Sequence, residues 1–312
     1  MQLLNQLAVE AEPITQQVQI LISNNASTDD TENRVREFID KYQDTLALCY
    51  FRQSENIGGV GNLSFLVTQA NTPYCWSIAD DDLLITGALV NVIQALQQLN
   101  QDDQLMLVRV KDIEEWDAAP SLTQQSTLRP QRFEIDNIDC LPFVLAAPFL
   151  ASIIIQTRIW LTFLPQLEPY LYTDYTNWGV ALLSAQRANH FHLLDQPCVR
   201  GNATMVGPSR IPVFRILVMG RIIIWHALVR EPLRTMLKPP MLRLWISGWK
   251  AVVAGNTDEL KTARDKWRAL CNGISLLGIG AFNCLPLFFL SFVGSVPQRR
   301  QLIKAIRHLI RV

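Results

Sequence analysis

Tyr74-Cys75-Trp76-Ser77-Ile78-Ala79-Asp80-Asp81-Asp82 is the stretch on which the fold turns. An apolar run that breaks into three consecutive carboxylates reads as a buried strand delivering acid to a sheet edge. Like charges held a few Å apart repel, and a low-dielectric strand end strengthens the repulsion. A divalent cation relieves it. Mg2+ and Mn2+ prefer oxygen ligands and sit between carboxylates and substrate phosphates. The competing reading is a cap, with Asp81 or Asp82 closing the N-terminus of a helix that starts near Leu83. One aspartate suffices for that task, and three are present.

Working outward from this strand, 18–22 (Val-Gln-Ile-Leu-Ile) and 46–51 read as strands with little polar interruption. The polar turn 23–31 follows the first, with Ser27 or Thr28 placed to cap a helix over 31–42. A glycine-rich loop spans 56–62 and a short helix 62–71. Beyond the aspartates the pattern predicts a helix over 84–99, a strand over 104–110, a long loop over 112–142, a strand over 149–155 and a helix over 175–188. This alternation predicts an α/β fold, a mostly parallel sheet flanked by helices.

Four features recur in order between Ser23 and Asp82: Ser23-Asn24-Asn25-Ala26-Ser27-Thr28-Asp29-Asp30-Thr31 after a strand, Asn56-x-Gly58-x-x-x-Asn62, Ala70-Asn71-Thr72-Pro73-Tyr74-Cys75-Trp76, and Ala79-Asp80-Asp81-Asp82. Together they resemble the family 2 glycosyltransferases of GT-A fold. There a strand ends in S/D-D-N-x-S-T-D-x-T, followed by N-x-G-x-x-x-N, A-x-x-x-Y-x-W and a D-x-D-type acid cluster. The stretch Phe149-Leu150-Ala151-Ser152-Ile153-Ile154-Ile155-Gln156-Thr157-Arg158-Ile159-Trp160 looks like the acceptor-side strand of the abequosyltransferase-like branch, which builds O-antigen and related surface polysaccharides.

The resemblance implies a nucleotide diphospho-sugar donor and a divalent metal, Mn2+ or Mg2+. Asp82 and Asp80 would ligate the metal, with Asp80 and Asp81 also near the nucleotide. Asn24 and Asn25 would edge the nucleobase, and Asn56, Gly58 and Asn62 would shape the loop over it. Asp174, ahead of the helix at 175–188, is the candidate general base of an inverting transfer, and a helix N-cap is its alternative reading. Tyr175 and Trp178 either stack on acceptor sugar or belong to the core. The family's usual first strand, of the type V-S-I-I-I-P-x-Y-N, has no counterpart here, since Met1 falls within the expected first helix. The expected GT-A sheet is therefore N-terminally incomplete.

Charge divides the chain. Residues 1–198 carry 10 Lys/Arg and 24 Asp/Glu, a net of −14, and residues 199–312 carry 18 and 4, a net of +14. The first part, 1–202, is read as the nucleotide-sugar and acceptor domain, and 203–312 as a helical, basic, membrane-associating region. Residues 269–298 hold no charge, and 299–311 form a basic amphipathic stretch. The pair suits an anionic membrane surface, with 269–298 spanning it, lying on it, or packing as a core helix pair. The basic residues interleave with aliphatic rather than aromatic side chains, which disfavours nucleic acid. The opening Met1-Gln2-Leu3-Leu4 is not a secretory signal, and six scattered cysteines without a C-x-x-C pair read as reduced thiols. The expected setting is the cytoplasmic face of a bacterial inner membrane, with a lipid-linked glycan as acceptor. A relative without turnover, acting as a membrane-bound interaction module, is the alternative function.

Two further patterns compete. Gly59-Val60-Gly61-Asn62-Leu63-Ser64 mimics a dinucleotide fingerprint, but five polar residues, 52–56, separate it from its strand. His190-x-His192 has the form of a metal pair without a third ligand at matching spacing, so satisfied or surface histidines are expected; the GT-A resemblance offers the alternative that His192 completes the metal shell.

Overall fold

The computed structural model describes residues 1–121, 128–201, 218–253, 260 and 263–278. Two compact units divide at 203/204. In chain order the first contains α1 (Gln2–Ala11), β1 (Gln19–Asn24), α2 (Thr31–Tyr42), β2 (Ala47–Arg52), α3 (Gly59–Gln69), β3 (Tyr74–Trp76), β4 (Leu83–Leu84), α4 (Ala88–Leu96), β5 (Leu105–Lys111), α5 (Glu114–Asp117), β6 (Gln131–Glu134), α6 (Leu141–Ala146), β7 (Ile153–Gln156), α7 (Thr157–Leu167), α8 (Thr176–Ala188) and β8 (His190–Arg200).

The fold is α/β with helix-flanked mixed sheets. β1 and β2 run parallel as a pair of their own, from Gln19↔Ala47 to Asn24↔Arg52. The larger sheet has the order β3-β7-β5-β8-β4, with β6 also on β8. β5 and β8 are parallel, whereas β7 runs antiparallel to both β3 and β5. β3 therefore points the same way as β5 and β8. The centre is dry: Met106, Leu107, Val108 and Ile153 to Ile155 are at most 1% exposed. Strands covered on both faces read as unbroken apolar runs, as these do.

A second cluster joins α1 to the parallel pair. Ala8, Ala11, Ile20, Phe38, Leu46 and Leu89 are buried together, with Trp76 packed against them. Each large side chain buried this way contributes about 1.5–3 kcal/mol. Helix α1 also reaches the main sheet by polar contacts. Gln6 Nε2 donates to the Leu84 carbonyl (3.4 Å), and Gln6 Oε1 accepts from the Leu84 N–H (3.0 Å). The Glu10 carboxylate accepts from the N–H groups of Gly87 (2.7 Å) and Leu89 (3.3 Å). It thereby caps α4 and satisfies the first orphan donors of that helix.

Several expectations are corrected. No helix starts at Leu83; residues 83–84 form β4 on β8, and α4 begins at Ala88 after Gly87 (φ +79°). The strand ahead of the aspartates closes at Trp76. The stretch 112–142 is not one long loop, because α5, β6 and the start of α6 lie within it; 122–127 are outside the described residues. Helix α2 takes its first-turn cap from Asp29, whose Oδ1 accepts from the Thr31 N–H (3.1 Å), rather than from Ser27 or Thr28. β8 was not expected at all. It contains Pro197, and a proline lacks the N–H a ladder needs. The β5–β8 register shifts on both sides of Arg109, the residue opposite Pro197.

In the second unit, α9 (Arg221–Leu228), α10 (Leu233–Val253) and α11 (Ala263–Leu277) are described. Trp245 and Trp249 are buried in contact at 6.0 Å between ring centres. Gly273 admits Trp245, because a Cβ there would lie 1.9 Å from its Nε1. Of the uncharged run 269–298, 269–277 belong to α11; most of the remainder, and the basic stretch 299–311, lie outside the described residues. Among the described residues no helix is long and apolar enough to cross a membrane.

Candidate functional site

The residues of the first two motifs form one hydrogen-bonded clasp at the C-terminal ends of β1 and β2. Asn24, 4% exposed, accepts from the Ser27 N–H (2.8 Å) and donates to the Tyr50 hydroxyl (3.2 Å). Asn25 donates to Asn56 Oδ1 (2.9 Å) and accepts from the Ile57 N–H (2.9 Å). Asn56 Oδ1 also accepts from the Gly58 N–H (2.9 Å). Gly58 sits at φ +78°, where a side chain would be strained, and opens α3. Asn62, in the first turn of α3, accepts from Ser23 Oγ (2.5 Å) and donates to the Ser23 carbonyl (3.3 Å). These side chains spend their polar atoms on shaping the turns, so the loops arrive preformed.

The acid triplet follows β3 on the edge where β5 and β8 also end. The Asp82 N–H donates to the Ala79 carbonyl (3.2 Å), closing a turn. Asp80 is exposed, Asp81 half-buried and Asp82 only 3% exposed. The turn is pinned on both sides, by β3 before it and by β4 after it, where Leu83 lies opposite Arg200. Asp82 caps no helix, because α4 begins six residues after it. The result is a turn of three adjacent carboxyl groups, one of them buried. Its all-oxygen donors suit Mg2+ or Mn2+.

Asp174 stands exposed ahead of α8 in the left-handed conformation (φ +60°). The N-cap position of α8 belongs to Tyr175. Tyr175 (6% exposed) and Trp178 (0%) are core, and Trp178 Nε1 donates to the Val144 carbonyl (3.0 Å).

A third group was only partly visible in the sequence, which offered the His190-x-His192 pair without its third member. His190 and His192 open β8, and Asp103 lies two residues ahead of Leu105, the start of β5, so the parallel pairing brings them together at the edge opposite the triplet. All three are buried. Asp103 Oδ1 lies 2.8 Å from His190 Nε2 and 3.8 Å from His192 Nδ1, and its Oδ2 accepts from the Asn100 N–H (2.7 Å). Burial pushes the Asp103 carboxyl up, but the Asn100 and His190 hydrogen bonds and the two imidazoles outweigh it and hold the group below its ordinary value. Burial holds His192 below its ordinary value. His192 Nδ1 makes no hydrogen bond, a situation that costs about 1–3 kcal/mol for a buried polar group.

Residues 2–153 match the family model described as glycosyl transferase family 2. A curated relative, abequosyltransferase RfbV of Salmonella typhimurium, is 38% identical over 72 residues. That match covers 23% of this chain and 21% of the relative's own length. Among solved structures, S. aureus TarS 1–349 in complex with UDP superposes with a TM-score of 0.65 at 13% identity, covering 98% of this chain and 87% of that one. The same protein with UDP-GlcNAc gives 0.63 at 14% identity, with the same coverage. At these identities the TarS likeness concerns the fold.

Proposed function

Residues 2–153 belong to glycosyl transferase family 2, and from that premise we propose that the chain transfers a sugar from a nucleotide diphospho-sugar to a lipid-linked or polysaccharide acceptor in bacterial surface-glycan synthesis. The observation that carries the reading is the buried Asp82, which lies in a pinned turn and caps no helix. Donors of this class bind at the C-terminal ends of parallel strands, where the asparagine clasp and the acid triplet both lie. The relatives point the same way: the curated one is named an abequosyltransferase, and TarS was solved with UDP and UDP-GlcNAc.

The residues take these roles. Asp82 and Asp80 would hold Mn2+ or Mg2+, whose Lewis acidity would stabilise the leaving diphosphate. Asp81 would lie beside them, near the nucleotide. Asn24 and Asn25 would line the nucleobase, and Asn56, Gly58 and Asn62 keep the loop in shape. Asp174 would accept the proton of the acceptor hydroxyl in an inverting displacement. The basic part, with net +14 over residues 199–312, would hold the enzyme at anionic lipid on the cytoplasmic face of the inner membrane.

The test is a thermal-shift panel on the full chain with UDP, GDP, dTDP and CDP, each with and without Mn2+. A ligand that binds only the folded state raises the melting temperature by mass action. One nucleotide should give a metal-dependent shift. A cooperative melt that no nucleotide moves would overturn the reading and favour an interaction module.

A further inference from the structure

The edge opposite the acid triplet has the make-up of a second metal site. We propose that Asp103, His190 and His192 bind a divalent transition ion of the zinc class, independently of the donor site. The three ligand atoms, Asp103 Oδ1, His190 Nε2 and His192 Nδ1, lie within 4.8 Å of one another. An ion about 2.0–2.1 Å from each would see angles of roughly 85–90° across the 2.8 Å pair and about 135° across the 3.8 Å pair. The first pair is closer and the second wider than a tetrahedral ion would hold them, so binding requires the side chains to rotate.

The contacts behind the three ligand atoms support the same reading. His190 Nδ1 lies 2.8 Å from the Ala188 carbonyl, which only accepts, so Nδ1 carries the hydrogen. The Nε2 of the same ring faces Asp103 Oδ1 at 2.8 Å, so the two atoms are presented to one point. A metal-bound histidine characteristically donates its other N–H to a backbone carbonyl in this way. The second oxygen of Asp103 is likewise held, by the Asn100 N–H (2.7 Å). His192 Nδ1, buried without a hydrogen-bond partner and 3.8 Å from Asp103 Oδ1, is the third ligand.

The set is distinct from the triplet. His190 and Arg200 are the two ends of β8, and the triplet adjoins Arg200 through β4. Ten strand rises separate those ends, about 30 Å. Two nitrogens and one oxygen also suit a borderline ion, whereas the triplet offers oxygen alone. Asp103 and His192 line a cavity of about 490 Å³ together with Arg129 and Arg132. A three-ligand ion here would keep its fourth position towards that cavity, the arrangement of sites that bind water or an anion rather than purely structural ones.

The experiment uses the full chain, treated with chelator and titrated with Co2+ and then Zn2+. We expect Co2+ d–d bands of four-coordinate N/O ligation that saturate at one equivalent and are lost on addition of equimolar Zn2+, whatever further ion the all-oxygen triplet takes up. His192→Gln and Asp103→Asn should each weaken binding at least tenfold, with folding checked by circular dichroism. Asp82→Asn should leave it unchanged, and this separates the site from the nucleotide reading. Featureless Co2+ spectra from the folded wild-type chain would overturn the proposal even if every variant misfolded. So would equal binding by a folded His192→Gln chain, or loss of the bands in Asp82→Asn.

Discussion

At the edge where β3 ends, three carboxylates are neighbours in sequence and share one turn. At the opposite edge a single carboxylate meets two imidazoles, the nearer of them 87 residues further along the chain. The first edge grades from exposed Asp80 to buried Asp82, and the second is buried throughout. The contrast shows two ways of assembling charge at a sheet edge. One writes it into a local motif, and the other leaves it to strand pairing.

Breaking the first edge should have the largest effect. Asp82→Asn is expected to abolish the metal-dependent nucleotide shift while the chain without ligand still unfolds cooperatively. Calorimetric titration with the nucleotide and Mn2+ checks this, and retained binding would remove Asp82 from the site. Next comes the bridge between the edges. Arg109, midway along β5, pairs with Asp195 of β8 and donates to the carbonyls of Trp116 and Pro120 (2.8 Å each). Both side chains are nearly buried, at 12% and 10% exposure. Removing one partner of such a pair costs about 3–5 kcal/mol. Arg109→Ala should therefore lower the whole unfolding transition in urea, and a loss confined to one edge would mean that the two edges melt separately.

Smaller changes sharpen the comparison. Glu10→Ala removes the cap from α4 and should cost about 1 kcal/mol, the usual worth of an N-cap. It should also weaken nucleotide binding, since α1 pins the segment after the triplet, but leave Co2+ binding at the histidine edge untouched. The mildest probe is thiol labelling. Burial pushes the thiols of Cys75 up to about 11 and of Cys198 up to about 12, and both lie in strands between the edges. Only the thiolate reacts, so at pH 8 roughly one Cys198 in ten thousand is available. Alkylation of the native chain at pH 8 should spare both and rise about tenfold per pH unit. Fast labelling of Cys75 alone would reveal opening at the triplet edge.

The first edge was legible in the sequence because its parts are contiguous. Apolar runs announced β1, β2, β3, β5 and β7, and the ordered motifs from Ser23 to Asp82 announced the family. The clasp was legible as a set of residues but not as a network, since nothing in the spacing says that Asn25 bonds Asn56 or that Asn62 bonds Ser23. The second edge was hidden for two reasons. β8 carries Asp195 and Pro197, which mask its strand character, and β4 is too short to show any period. Asp103 falls in the polar stretch between the helix expected over 84–99 and the strand expected over 104–110. The signal was its place directly ahead of an apolar strand, matched by a His-x-His pair at the start of another. Tyr175 and Trp178 show the converse limit: aromatic residues near a candidate base proved to be core.

The contacts of α1 also set an order of events during folding. Glu10 meets Gly87 across 77 positions and Gln6 meets Leu84 across 78. Each closes a long loop, with an entropy cost that local pairings such as β1 with β2 escape. On a chain emerging from the ribosome, α1 exists long before the residues it clamps. The turn bearing the aspartates is therefore fastened late, after the parallel pair beside it has formed, and a nascent chain stopped before Leu89 would display the apolar face of α1 without the helix that covers it.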